Sequence, residues 1–203
     1  MFVKYLKYGC GLVVLMLLSW LVFFLMSKPQ DNPYMRLYSS VNGTGSPGCE
    51  FLNEKRPNVH FKFKLSAQEC RFVFYGGGEG IKFYVDYPSS AVVFPRLEKG
   101  IQIYFFMTRI SRDEYDASRH LVGKSPISVS DGIELYDMND YKERKFVGED
   151  GVSVIASDFL ATIRASRLYA PDLLVFYQYP KELTDVKAMD RFALEVLRKI
   201  VVE

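Results

Sequence analysis

Asp113, Glu114, Asp116 and His120 are the side chains of this chain whose types and spacing come nearest to a metal site. In a helix Asp113, Asp116 and His120 share one face at steps of three and four, and carboxylate with imidazole is a donor set that hard and borderline cations accept. Arg109, Arg112 and Arg119 stand in the same stretch. Three guanidinium groups so close repel a cation and attract the carboxylates, so the cluster reads as a solvated face with internal ion pairs, and no metal ligands are assigned. The second histidine, His60, alternates with Val59 and Phe61 on the polar side of a strand, beside Lys62 and Lys64, which is a poor setting for a general base. No Gly-x-Ser-x-Gly elbow presents a serine nucleophile.

Gly76-Gly77-Gly78-Glu79-Gly80 has the composition of a phosphate loop without its chemistry. No Lys-Ser or Lys-Thr follows, and the helix whose N-terminus would hold the phosphate is replaced by the strand-like Ile81-Lys82-Phe83-Tyr84. The run reads as a flexible hairpin loop whose exposed backbone contributes to a binding surface. No catalytic residue and no cofactor is assigned, and the expectation is a protein that is not an enzyme.

Cys49 and Cys70 are the two cysteines outside the apolar N-terminal run that contains Cys10. A pair suits one disulfide in an oxidising compartment, where closing a loop of that length contributes about 3 kcal/mol. Zinc is disfavoured because there is no Cys-x-x-Cys and neither histidine is in ligand register with a cysteine.

The elements that would position these residues are mostly strands. Val59, Phe61, Phe63 and Leu65 alternate with His60, Lys62 and Lys64, giving one apolar and one wet face. Further strands are expected over 70–75, 81–87, 101–108, 132–138, 151–157 and 172–179, and the short connections favour antiparallel pairing. Residues 158–169 fit either a helix or a strand, with the alternation of Phe159, Ala161, Ile163 and Ala165 tilting toward strand. Ser111 and Glu114 make a capping box for a short helix ending near Gly123. Val186, Met189, Phe192, Ala193, Val196, Leu197 and Ile200 recur at helical steps after a Thr184 cap, and this stripe is expected to cover the sheet.

The N-terminus sets the address. Tyr8 to Ser27 carries no charge and is long enough to span a bilayer as a helix. Lys4 and Lys7 precede it, and bulky Leu25 near its end opposes cleavage as a signal peptide. The reading is an uncleaved anchor: 1–7 a cytoplasmic tail, 8–27 a single transmembrane helix, 28–48 a flexible tether rich in Ser, Asn, Gly and Pro, and 49–203 an extracytoplasmic domain in the periplasm. The fold class is α+β, with an antiparallel sheet covered by a C-terminal amphipathic helix. Lys plus Arg number 26 and Asp plus Glu 24, and setting Lys4 and Lys7 aside makes them equal, which disfavours nucleic acid as a partner.

Aromatic residues make up 15% of the chain. Tyr84, Tyr136 and Tyr141, with Gly76, Gly77, Gly78 and Glu79, are the candidate recognition residues, because tyrosine joins rigid contact area to a hydroxyl. The expected function is a membrane-anchored binder of a protein partner, one concrete form being an immunity protein against an envelope-targeting toxin. The alternatives are an assembly component of an envelope complex, with Gly9, Cys10 and Gly11 allowing close helix packing, and a hydrolase using dispersed carboxylates.

Overall fold

The computed structural model describes residues 32–38, 47–95, 100–110 and 118–202. The apolar run at 8–27 and the capping box at Ser111 lie outside these residues, and among the described residues no helix is long and apolar enough to cross a membrane.

Two antiparallel sheets and one long helix build the domain. The small sheet joins β1 (Met35–Tyr38), β2 (Gly48–Leu52) and β3 (His60–Phe63) in that order. After it come the one-turn helix α1 (Ala67–Cys70), β4 (Phe74–Tyr75), β5 (Gly80–Tyr87), β6 (Ala91–Val93) and β7 (Ile101–Arg109). A 3₁₀ turn at Arg119–Leu121 leads to β8 (Ser128–Ser130), β9 (Ile133–Asp137), β10 (Lys142–Val147), β11 (Ser153–Phe159), β12 (Thr162–Ala170) and β13 (Leu173–Pro180). The chain closes with α2 (Val186–Ile200). In the large sheet the strands run β4-β5-β7-β13-β12-β11-β10-β9-β8, with β6 paired to β5. Most neighbours are hairpins; β13 instead inserts beside β7, so the last strand joins the two halves of the sheet.

One face of the large sheet carries the core. Ile81, Phe83 and Val85 of β5, Ile103, Phe105 and Met107 of β7, and Val175 and Tyr177 of β13 are buried in one cluster with Phe51 and Phe63 of the small sheet and Val196 and Leu197 of α2. The expected apolar stripe of α2 is the stripe that is buried, from Val186 to Ile200. Its end is tied to the small sheet, since Lys64 donates its N–H to Ile200 O at 2.7 Å and Val202 donates to Lys62 O at 3.0 Å. The helix begins with Asp185 and not Thr184 as its cap, the Asp185 carboxylate accepting from Ala188 N at 2.9 Å.

Three further departures from the sequence expectations have physical causes. Residues 70–75 are not one strand: Ser66 and Glu69 form a reciprocal capping box, Ser66 Oγ accepting from Glu69 N at 3.2 Å and Glu69 Oε2 accepting from Ser66 N at 2.9 Å, so a helical turn ends at Cys70 before β4 begins. The segment 28–48 contains β1, paired with β2 from Met35–Phe51 to Tyr38–Gly48, so the folded domain starts before Cys49. Gly48 has to be glycine there, because a Cβ would stand 2.1 Å from Phe63 O. The strand favoured for 158–169 is the one that forms, interrupted by a tight hairpin turn, β11 ending at Phe159 opposite Thr162. Strand β10 has no clean alternation in sequence because both faces carry charge, Glu143 and Arg144, each satisfied by a partner.

Cys49 and Cys70 form a disulfide with Cα atoms 6.2 Å apart, both cysteines fully buried. It ties β2 to the end of α1 across a separation of 21 residues, a loop whose closure contributes about 3 kcal/mol.

Candidate functional site: an open face of the large sheet

The opposite face of the large sheet is built by the alternate residues of the same strands. Register places Tyr136, Glu143, Ser157, Arg164, Gln178, Tyr104 and Tyr84 directly opposite one another in a single row running from β9 to β5. A neighbouring row runs Lys145, Ile155, Ser166, Phe176, Phe106 and Lys82. These are consequences of the two-residue strand period, which turns every second side chain to this face.

The two ends of the face differ. At the β9–β11 end the 3₁₀ turn lies on the sheet: Leu121, Tyr136 and Ile155 form a small separate core. His120 Nε2 meets Glu143 Oε1, and Ser157 Oγ donates to Glu143 Oε2 at 2.7 Å. Glu143 is 2% exposed, and each of its carboxylate oxygens is held by one of these partners. The order of contact is serine, carboxylate, histidine. A nucleophile relay requires the histidine between the other two so that it can take the serine proton; here the imidazole and hydroxyl hold different oxygens of one carboxylate, and the cluster pins the 3₁₀ turn to the sheet.

The β5–β12 end is open. Tyr84, Tyr104, Phe106, Phe176 and Gln178 are half-buried, and Lys82 and Arg164 are exposed. Cross-strand aromatic pairs organise it, Tyr84 with Tyr104 at 5.3 Å between ring centroids and Phe106 with Phe176 at 6.0 Å. Gly80 lets the Phe106 ring lie against β5, since a Cβ there would stand 2.3 Å from that ring. The Arg164 guanidinium sits 4.3 Å from the Phe159 ring centroid, and Gln178 Nε2 donates to Thr162 Oγ1 at 2.8 Å. Burial raises the Tyr104 hydroxyl above its ordinary pKa, with neighbouring Tyr84 adding to the shift and Arg164 opposing it. The open end offers phenol hydroxyls, a primary amide, and the Lys82 and Arg164 side chains around paired rings. Such a surface suits protein recognition, in which aromatic and arginine side chains are the usual anchors.

The residues singled out from sequence are dispersed. Tyr84 belongs to the open end. Tyr136 shares its row but lies about 29 Å away at strand spacing, 6% exposed under the 3₁₀ turn with its hydroxyl donating to Glu134 Oε2 at 2.6 Å. Tyr141 is in the β9–β10 turn, 39% exposed. The loop of Gly76, Gly77, Gly78 and Glu79 is tied at several points: Asn53 Nδ2 donates to Gly77 O at 2.6 Å, Thr108 Oγ1 donates to Glu79 O at 3.1 Å, and Arg56 pairs with Glu79 at 3.3 Å. Gly77 has φ +76° and lies against the Tyr34 ring, so glycine is required there by backbone and by space. Asp113, Glu114 and Asp116 lie outside the described residues, among which no cluster of three or more metal-ligating side chains occurs. His60 pairs with Glu50 at 3.1 Å on the small sheet. Tyr104, Phe106, Phe176, Arg164 and Gln178 escaped the sequence reading. Their signal was that β7 and β13 are aromatic at both parities, as a strand is when each of its faces has a use.

No protein-family model matches this chain, no curated protein matches its sequence, and no solved structure matches it. The class of the molecule therefore rests on its own fold and surface: a mostly antiparallel β-sheet domain with a C-terminal helix and a disulfide.

Proposed function

We propose that this protein is a membrane-anchored, extracytoplasmic protein-binding module that engages its partner through the open face around Tyr84, Tyr104, Phe106 and Phe176. The observation that carries the reading is the contrast between faces: α2 and the small sheet bury one side of the large sheet, while aromatic pairs stay half-exposed on the other. A buried disulfide and the uncharged run from Tyr8 to Ser27 support an anchored domain in an oxidising compartment, with a periplasmic domain on an inner-membrane helix as the specific form. Neutralising a toxin that acts on the envelope is one function that needs only such an anchor and such a surface.

The test is affinity capture of the full-length tagged protein from native membranes in mild detergent, compared with the Tyr104→Ala and Arg164→Ala variants after each is shown by circular dichroism to be folded. The expected result is a stoichiometric protein partner that is depleted about tenfold or more by each variant. A partner retained in full by both variants would remove the open face from the function.

A further inference from the structure

The hairpin that joins β11 to β12 has an ill-suited residue at its tip. Among the described residues, four that are not glycine have positive φ: Ser90 at 60°, Asp131 at 51°, Asn139 at 71° and Leu160 at 50°. The first three are small and polar, and Asn and Asp are the types that visit this region readily because their side chains bond locally. Leu160 has neither excuse. Two-residue hairpin turns take Gly, Asn or Asp at such a position, and a leucine held there gains nothing from burial, being 84% exposed.

Its neighbours extend the apolar surface. Phe159 is 43% exposed and Tyr141 39%. Leu160 and Tyr141 border one shallow depression with Arg144, Asp158 and Lys181. Asp158 accepts from Arg144 at 2.7 Å and lies 3.7 Å from Lys181 Nζ, which fixes the charged floor below the leucine. On the other side, the Phe159 ring lies under Arg164, the next member of the row that leads through Gln178 to Tyr104 and Tyr84. The tip therefore stands at the edge between the two faces, reaching the open face through Phe159, while Arg144 and Asp158 lie in register with Ala165 and Ile163 on the other side of the sheet.

We propose that Leu160 is an anchor residue that inserts into an apolar socket on the protein partner, with Tyr141 and Phe159 at its flanks; this rests on the reading of the open face as the binding surface. The charge around it selects a protein over a lipid surface. Asp137, Asp140 and Asp158 balance Lys142, Arg144 and Lys181 around the depression, and Arg164 over Phe159 adds one positive charge, far short of the basic cluster that draws a protein to anionic headgroups, whereas a protein socket with a mixed polar rim complements it. The backbone strain is retained because binding, and not folding, uses the side chain.

The experiment places a photo-reactive phenylalanine analogue at position 160, at position 104, or at the exposed control position 37 of the full-length protein in native membranes, and measures thermal unfolding of Leu160→Asn alongside. The expected outcome is one cross-linked protein common to positions 160 and 104 and absent at 37. Leu160→Asn should lower the yield from position 104 about tenfold while raising the melting temperature by about 2–4 °C through relief of strain. A product at 104 with none at 160, or a yield at 104 indifferent to Leu160→Asn, overturns the anchor and leaves the open-face reading standing. Failure at both positions removes both. A lipid adduct at 160, or a lowered melting temperature for Leu160→Asn, overturns the anchor as well, the first by naming the wrong surface and the second by giving Leu160 a structural use.

Discussion

The two faces of the large sheet are made by the same strands from the same kinds of residue, one position apart. On the core face Phe83 stacks on Phe105 at 5.2 Å, Phe105 on Tyr177 at 6.1 Å and Tyr177 on Tyr179 at 6.0 Å, all four rings buried. On the open face Tyr84 pairs with Tyr104 at 5.3 Å and Phe106 with Phe176 at 6.0 Å, all half-buried. The pairing geometry is similar; the difference lies in what covers it. Side-chain type and cross-strand spacing assemble aromatic ladders on both faces, and only α2 and the small sheet turn one of them into core. Burial concentrates stabilising energy under the cover, and the uncovered ladder keeps its rings half-exposed.

The sharpest way to break this contrast is to attack the polar centre under the helix. Arg167, fully buried on β12, donates to Asp190 of α2 at 2.6 Å and to Asp150 in the β10–β11 turn, while Tyr177 donates to the other Asp190 oxygen at 2.9 Å. Gly148 makes room for the group, as a Cβ there would lie 2.7 Å from Asp190 Oδ2. Asp190→Ala leaves the guanidinium with one carboxylate, Asp150, and the Leu168 carbonyl, and leaves the phenol without its acceptor. A stability loss of about 3–5 kcal/mol is expected, measured by urea unfolding of the detergent-solubilised protein. A loss below about 1 kcal/mol would show that the helix is held by its apolar stripe alone.

A finer cut compares two adjacent core phenols. Tyr177 donates to a carboxylate, and burial, with the Asp190 charge behind it, raises its pKa well above the usual tyrosine value. The Tyr179 hydroxyl is also buried but has no hydrogen-bond partner among the described residues. Tyr177→Phe should cost about 1.5–3 kcal/mol, whereas Tyr179→Phe should be neutral or stabilising by about 1 kcal/mol. Equal costs would mean that ring packing, common to both, outweighs the hydroxyl.

Much of this architecture was legible in the sequence, and the lapses have a common origin. The strands around Phe61, Phe83, Phe105 and Val175 and the stripe of α2 announce themselves because one face is apolar and the period survives. Strand β10 and the charged centre do not, since Glu143, Arg144 and Arg167 are polar residues at positions that are covered or paired only in three dimensions. Strand β1 hides in a polar stretch because its pairing is mostly backbone, with exposed Arg36 and Leu37. The open face was visible only as Tyr84. Its other members look like core in sequence, and which parity of β7 and β13 is covered depends on where α2 docks. Leu160 could have been flagged only by knowing that its φ is positive.

Acid tests the covered centre from another direction. Burial works against the Asp150 charge, yet hydrogen bonds from Arg167 and from the Val152 N–H outweigh it and hold the carboxyl below its usual pKa. A depressed folded-state pKa stabilises the fold above the unfolded value, about 3.9 for aspartate, and that stabilisation is lost as pH falls through the lower folded value. Stability should therefore decline in this acid window, and Asp150→Asn should flatten the decline. The effect is expected to be smaller than that of Asp190→Ala because the Asp150 side chain is 24% exposed. An unchanged pH profile in Asp150→Asn would assign the decline to other carboxylates.

The smallest effect on stability is expected on the open face, where it carries the most information. Exchanging Tyr84 and Tyr104 for Thr, singly and together, keeps β propensity while removing the ring pair, whose coupling in a double-mutant cycle should be about 0.2–1 kcal/mol. The core counterpart, Phe105→Ala, removes a fully buried ring and should cost about 3–5 kcal/mol. If the open ladder proves as costly to disturb as the buried one, it is a structural layer, and the contrast between the faces fails. If it is cheap to the fold and its loss abolishes partner capture, then the half-exposed rings are retained for what they bind, and cover alone separates the residues that hold this sheet together from those that use it.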